Sequence, residues 1–145
     1  MSDTGFGPAE ARALLASEFA PWVQEMGLEP LELGPRGARF RLPVNPRLQL
    51  TGGPGAGALC GQAIAAVADT ATVLALAGAN GRFRICTTVD MQVNFVRPLG
   101  PVPAEVAVEI ESNGRKLAVV RVRVAAEGSP KAAALATLTF MYLED

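Results

Sequence analysis

Hydrophobic and polar positions along the chain divide it into a short amphipathic helix, two strands, one long apolar helix and four further strands. Residues 8–26 open at Pro8, a favoured first-turn residue, and place Leu14, Leu15, Phe19, Trp22 and Val23 on one helical face. Pro21 should kink or split that helix, and Gly27 should end it. Two short strands follow, over residues 28–33 and 38–44, around the turn Gly34-Pro35-Arg36-Gly37. A loop rich in Gly and Pro covers residues 45–59. The long helix should start near Cys60 or Gly61 and stop between Gly78 and Gly81.

Beyond it, residues 86–96 alternate, with Val89, Met91, Val93 and Phe95 on one face and Thr88, Asp90, Gln92 and Asn94 on the other. Strands over 104–111 and 116–125 flank Asn113-Gly114, a strong hairpin signal, and a last strand covers 132–143. This order predicts an α+β fold with one antiparallel sheet against one helix. The sheet face alone cannot cover a helix that is apolar all round, so the sheet must curl around it or a second subunit must cover the rest.

Within the apolar run 63–79 one carboxylate, Asp69, stands out; Thr70 and Thr72 are its only polar companions. An unpaired charge is costly to bury. Asp69 is therefore either a hydrogen-bonded strut, satisfied by backbone or by Thr70 and Thr72, or a reactive group. The chain has no histidine, which removes the commonest general base and every Ser-His or Cys-His pair. A carboxylate is left as the leading candidate for any chemistry.

Composition narrows the rest. At 145 residues one domain is expected, a helical segment at 1–27 and a core at 28–145. A net charge of -1 gives no footprint for nucleic acid. The central Asp69 argues against a membrane span. Cys60 and Cys86 are too few for a disulfide framework, so a cytoplasmic protein is expected.

The runs LCGQAIAAVADTA (residues 59–71) and TVDMQVNFVRP (residues 88–98) resemble the hot-dog-fold acyl-CoA thioesterases, nearest to the phenylacetate-pathway branch. The resemblance covers residues 28–143. It implies a curled antiparallel sheet of about six strands wrapped around the central helix, and hydrolysis of an acyl-CoA thioester. Asp69 would act as general base or nucleophile, the Gly61 amide as oxyanion donor, and Thr88 as a water-orienting hydroxyl. Cys60 stands where the family has His, Gln62 where it has a second Gly, and Pro54 where it has Asn. Substrate contacts are expected at Cys60, Gln62 and Asn94, and at Arg97, Arg115 and Lys116 for the phosphates of coenzyme A. No metal or redox cofactor is implied, and coenzyme A enters only as part of the substrate. A noncatalytic acyl-CoA binding module is the alternative.

Gly61 and Asp69 are eight residues apart, about 12 Å along a helix. One thioester cannot reach both in a single chain. If both act on it, Asp69 must come from a neighbouring subunit, and a homodimer or a dimer of dimers is expected.

Overall fold

The computed structural model describes residues 5–144. Its elements are α1 (Pro8–Glu18), α2 (Pro21–Gln24), β1 (Glu29–Gly34), β2 (Gly37–Leu42), a 3-10 turn (Pro46–Leu48), α3 (Gly61–Asn80), β3 (Cys86–Phe95), β4 (Ala104–Asn113), β5 (Leu117–Ala126) and β6 (Ala132–Tyr142). Pro21 splits the first helix in two, because α1 ends at Glu18 and Pro21 opens α2. The strands form one antiparallel sheet in the order β1-β2-β4-β5-β6-β3. It curls around α3 as a hot-dog fold.

The core lies between the inner sheet face and α3. Phe40, Val106, Val120, Val122, Leu138, Phe140 and Tyr142 meet Val67, Leu74 and Leu76 of the helix, all nearly solvent-free. Alternation along each strand delivers these side chains to one face. Helix and sheet approach closely at Gly78, where a Cβ would stand 2.8 Å from Leu33. Gly81 caps the helix in the left-handed conformation at φ 72°. By length and composition α3 could cross a membrane, but two thirds of it is buried in protein, as the core helix of this domain.

The helix is not covered on every side. Gln62, Ala65, Ala66, Asp69 and Val73, at helical spacing, form a stripe that is exposed or only partly covered. Beside it runs β3, an edge strand with Ile85, Val89, Met91, Phe95 and Val96 at or near it exposed. An apolar edge next to an apolar helix stripe is the kind of surface that proteins cover.

Two local details differ from the sequence reading. The β4–β5 hairpin forms, but neither Asn113 nor Gly114 takes the positive φ of a two-residue Asn-Gly turn. Gly114 N–H instead donates to Leu117 C=O at 2.8 Å across a longer loop. A register shift between Ile110 and Ser112 precedes this loop. The second difference is a bulge in β3, and it bears on the site.

Candidate active site

Asp69 projects from the exposed stripe of α3, so it is half-buried rather than sealed in the core. Thr88 Oγ1 donates to its Oδ1 at 2.7 Å. Thr70 and Thr72 do not satisfy it: both are buried, and Thr72 Oγ1 donates instead to Ala68 C=O at 2.8 Å. A charge that keeps water on one side and a hydroxyl on the other avoids the cost of full burial.

The bulge in β3 creates this pairing. Thr88 pairs with Phe140 and Asp90 with Thr139, leaving Val89 as the extra residue. Strict alternation would put Thr88 on the same face as Asp90, Gln92 and Asn94. Past the bulge the phase is reset, and Thr88 joins Met91, Val93 and Phe95 on the inner face, opposite Phe140, Leu138, Ala136 and Ala134. Cys86 lies on that face too, paired with Tyr142. Burial raises the Cys86 thiol above its ordinary range, and the charge of Asp69 pushes it further. Both effects disfavour the Cys86 thiolate relative to a free thiol.

At the N-terminus of α3, Cys60 holds the cap position in extended conformation, and no side chain caps the helix. Cys60 N–H donates to Leu48 C=O at 2.9 Å. The N–H groups of Gly61 and Gln62 have no partner within the helix and carry the positive end of its dipole. The Phe95 ring lies over Gly61; a Cβ there would stand 3.3 Å from two ring carbons. A cleft of about 410 Å³ opens at this point, lined by Gly61, Ile64, Phe95, Arg97, Leu99 and Leu50 among others. Its walls are mainly apolar, with the helix N-terminus and the Arg97 guanidinium as the polar groups. Such a cleft suits a carbonyl at the amide and an apolar acyl group along the walls.

The anticipated residues fall into three places. Gly61, Cys60, Gln62 and Arg97 gather at or beside the helix start, and Asp69 with Thr88 forms a pair two turns along. Asn94 lies on the outer sheet face, in a groove of about 430 Å³ with Glu109, Arg121, Arg123, Leu135 and Thr137. That groove is as large as the cleft at Gly61, but the sheet separates it from Asp69 and the helix start. Arg115 and Lys116 occupy the β4–β5 hairpin loop near the C-terminal end of α3, where Arg84 Nη2 donates to Arg115 C=O at 3.0 Å. Within one chain they are about 30 Å from Gly61, the length of a 20-residue helix. Phe95 over Gly61 and Cys86 beside Asp69 had no role in the sequence reading. The alternation of β3 put Phe95 on an apolar face, but only the fold shows what that face covers.

Residues 46–141 match the family described as acyl-CoA thioesterase N-terminal domain. Among solved structures, a mutant of the phenylacetic acid degradation protein PaaI from Thermus thermophilus is 27% identical. It superposes with a TM-score of 0.71, over 86% of this chain and 100% of that one. The conserved protein PA5202 from Pseudomonas aeruginosa is 26% identical with a TM-score of 0.75, over 86% of this chain and 95% of the other. Thioesterase HI1161 from Haemophilus influenzae is 20% identical with a TM-score of 0.79, over 94% and 90%, and so shares the fold. No curated protein sequence matches the chain.

Proposed function

The chain belongs to the acyl-CoA thioesterase N-terminal-domain family and is a thioesterase; from that premise we propose that it hydrolyses an aryl- or medium-chain acyl-CoA to free acid and coenzyme A at sites shared between two subunits. The observation that carries this reading is the Thr88–Asp69 pair on the uncovered stripe of α3. It faces away from the chain's own core, and about 12 Å of helix separates it from the uncapped Gly61 amide.

A two-fold dimer brings the parts together. Where two copies of α3 run antiparallel, the start of one helix passes the middle of the other, and Gly61 of one chain meets Asp69 of its partner. The same packing covers the stripe and the β3 edge. Asn80 lies 11 residues beyond Asp69, about 16 Å along the helix. The hairpin with Arg115 and Lys116 at that end of the partner then flanks the phosphates of a coenzyme A bound at Gly61.

The thioester oxygen accepts hydrogen bonds from the N–H groups at the helix start. Asp69 removes a proton from water, and the water oxygen bonds to the carbonyl carbon. Negative charge builds on the carbonyl oxygen, where the amides and the helix dipole stabilise it. Collapse breaks the carbon–sulfur bond, and the departing thiolate takes the proton held by Asp69, giving acid and thiol. Thr88 donates its proton to Oδ1, which holds the carboxylate in one rotamer and leaves Oδ2 for water. Direct attack by Oδ2, forming an anhydride that water then cleaves, uses the same geometry.

The test is hydrolysis of a panel of aryl- and alkyl-CoA thioesters, with free thiol as readout, in wild type and Asp69→Asn. Turnover by wild type and its loss in the variant is the expected result. Binding of acyl-CoA without turnover would make the protein a noncatalytic binder, and unchanged turnover in the variant would remove Asp69 from the mechanism. Oxygen-18 from solvent, traced in a single turnover, separates base from nucleophile: a general base puts the label into the acid product, whereas an anhydride opened by water at the Asp69 carbonyl puts it into Asp69 and leaves the product unlabelled.

A further inference from the structure

Trp22 is the chain's one tryptophan, and it is 60% exposed. Its neighbour Val23 packs on the core, so the indole is turned outward from an anchored helical turn. It lines a hollow of about 220 Å³ with Glu25, Asn45, Arg47 and Leu48. Asn45 holds the walls together. Its Nδ2 donates to Glu25 C=O at 3.0 Å and to Met26 C=O at 3.5 Å, and its Oδ1 accepts from Arg47 N–H at 3.1 Å. The backbone around the hollow is thus fixed before anything binds.

The hollow offers a flat aromatic wall, a carboxylate and a guanidinium. Arg47 and Glu25 are paired at only 3.7 Å, with both side chains largely in water. Such a pair contributes little and is readily exchanged for a ligand. An exposed indole is a stacking platform for a planar base. A guanidinium matches phosphate oxygens, and a carboxylate accepts from an exocyclic amine. An adenine nucleotide presents all three complements at once.

Position ties the hollow to the thioesterase site. Leu48, which lines it, accepts the Cys60 N–H at 2.9 Å, and the Gly61 amide is the next one along the chain. We infer that Trp22, Arg47 and Glu25 form a subsite for the adenine nucleotide of the substrate. Through it the enzyme favours thioesters of coenzyme A over those carrying only the pantetheine arm. The inference rests on the thioesterase reading above, and its test is built to fail separately.

Because Trp22 is unique, intrinsic fluorescence reports on this hollow alone. Adenosine 3′,5′-bisphosphate and coenzyme A should quench it saturably, pantetheine should not, and Arg47→Ala should weaken the quench and its salt dependence. Trp22→Ala should raise KM for an acyl-CoA about tenfold, the scale of a lost base–aromatic stack. It should leave kcat unaltered and not change the KM of the same acyl group on pantetheine. Fluorescence that ignores the bisphosphate at millimolar concentration would overturn the subsite. So would a Trp22→Ala defect equal on both thioesters, or a fluorescence change that follows protein concentration instead of nucleotide, which marks a contact between copies of this chain. If the bisphosphate quenches but no thioester is hydrolysed, the nucleotide subsite stands and the thioesterase reading falls.

Discussion

The two ends of α3 are built in opposite ways. At the C-terminal end the polar side chains are tied to one another. Asn80 Nδ2 donates to the Tyr142 hydroxyl at 2.9 Å, that hydroxyl donates to Asn113 Oδ1 at 2.6 Å, and Asn113 Nδ2 donates back to Asn80 Oδ1 at 2.9 Å. The ring of bonds closes on itself and joins the helix end to the β4–β5 hairpin and β6. The Arg84 guanidinium sits 3.7 Å above the Tyr142 ring, and it pairs with Glu144, which also holds Arg82. The N-terminal end has no side-chain cap, a glycine as its first residue, and a cleft above it. A helix end that forgoes a cap forgoes about 1 kcal/mol of stability. The closed end stabilises the fold, and the open end keeps amides free for a ligand.

That contrast is breakable. Substitutions at the open end and along its stripe should change rate and leave stability nearly intact; those at the closed end should do the reverse. The largest effect belongs to Asp69→Asn, expected to lower kcat by about a hundredfold or more, the scale of losing a general base. Its melting temperature should stay near wild type, because the carboxylate is only half-buried. Gly61→Val should be similarly inactive, since a side chain there meets the Phe95 ring and covers the amide. Mixing the two inactive variants under subunit exchange sharpens the result. Half the dimers become mixed, each with one intact site, so activity should return to about a quarter of wild type. A mixture shown to contain heterodimers that stays inactive would rule out the shared site.

Thr88→Val should cost about tenfold or more in kcat by releasing the carboxylate rotamer, a misplacement effect. Thr88→Ser should retain most activity. At the closed end, Tyr142→Phe should lower stability by about 1–2 kcal/mol in chemical denaturation, because the Asn80 and Asn113 amides lose their shared partner. Its kcat should match wild type; a matching loss of rate would mean the two ends are coupled. The smallest effect concerns pH. Hydrogen bonds from Arg82 first, and then Arg84, hold the Glu144 carboxyl below the ordinary glutamate value of 4.5. The pair's contribution is therefore complete above that value and fades as pH falls through the depressed one. A Glu144→Gln variant should show a flatter dependence of melting temperature on pH in that acidic range, and no difference in shape above about pH 6.

Much of this protein is decided by local pattern. The apolar run with one acid, the flanking glycines and the alternating strands define the element order and single out Asp69, because helical and strand periods are written in consecutive residues. The split at Pro21 and the stop at Gly81 are equally local, since they follow from a ring that blocks φ and from a residue without Cβ. What tertiary structure alone decided is which faces meet. A single bulge at Val89 carries Thr88 to the inner face to meet Asp69 while Asn94 stays on the outer one; alternation cannot show it, because one inserted residue reverses every side chain on one side of it. Likewise, Phe95 covers Gly61 because β3 pairs with β6 at the sheet edge, and Arg115 lies at the far end of α3 because the β4–β5 hairpin is bonded there through Asn113 and Asn80. Those pairings join residues far apart in the chain, and their selection comes from burying one shared core rather than from any segment's own pattern.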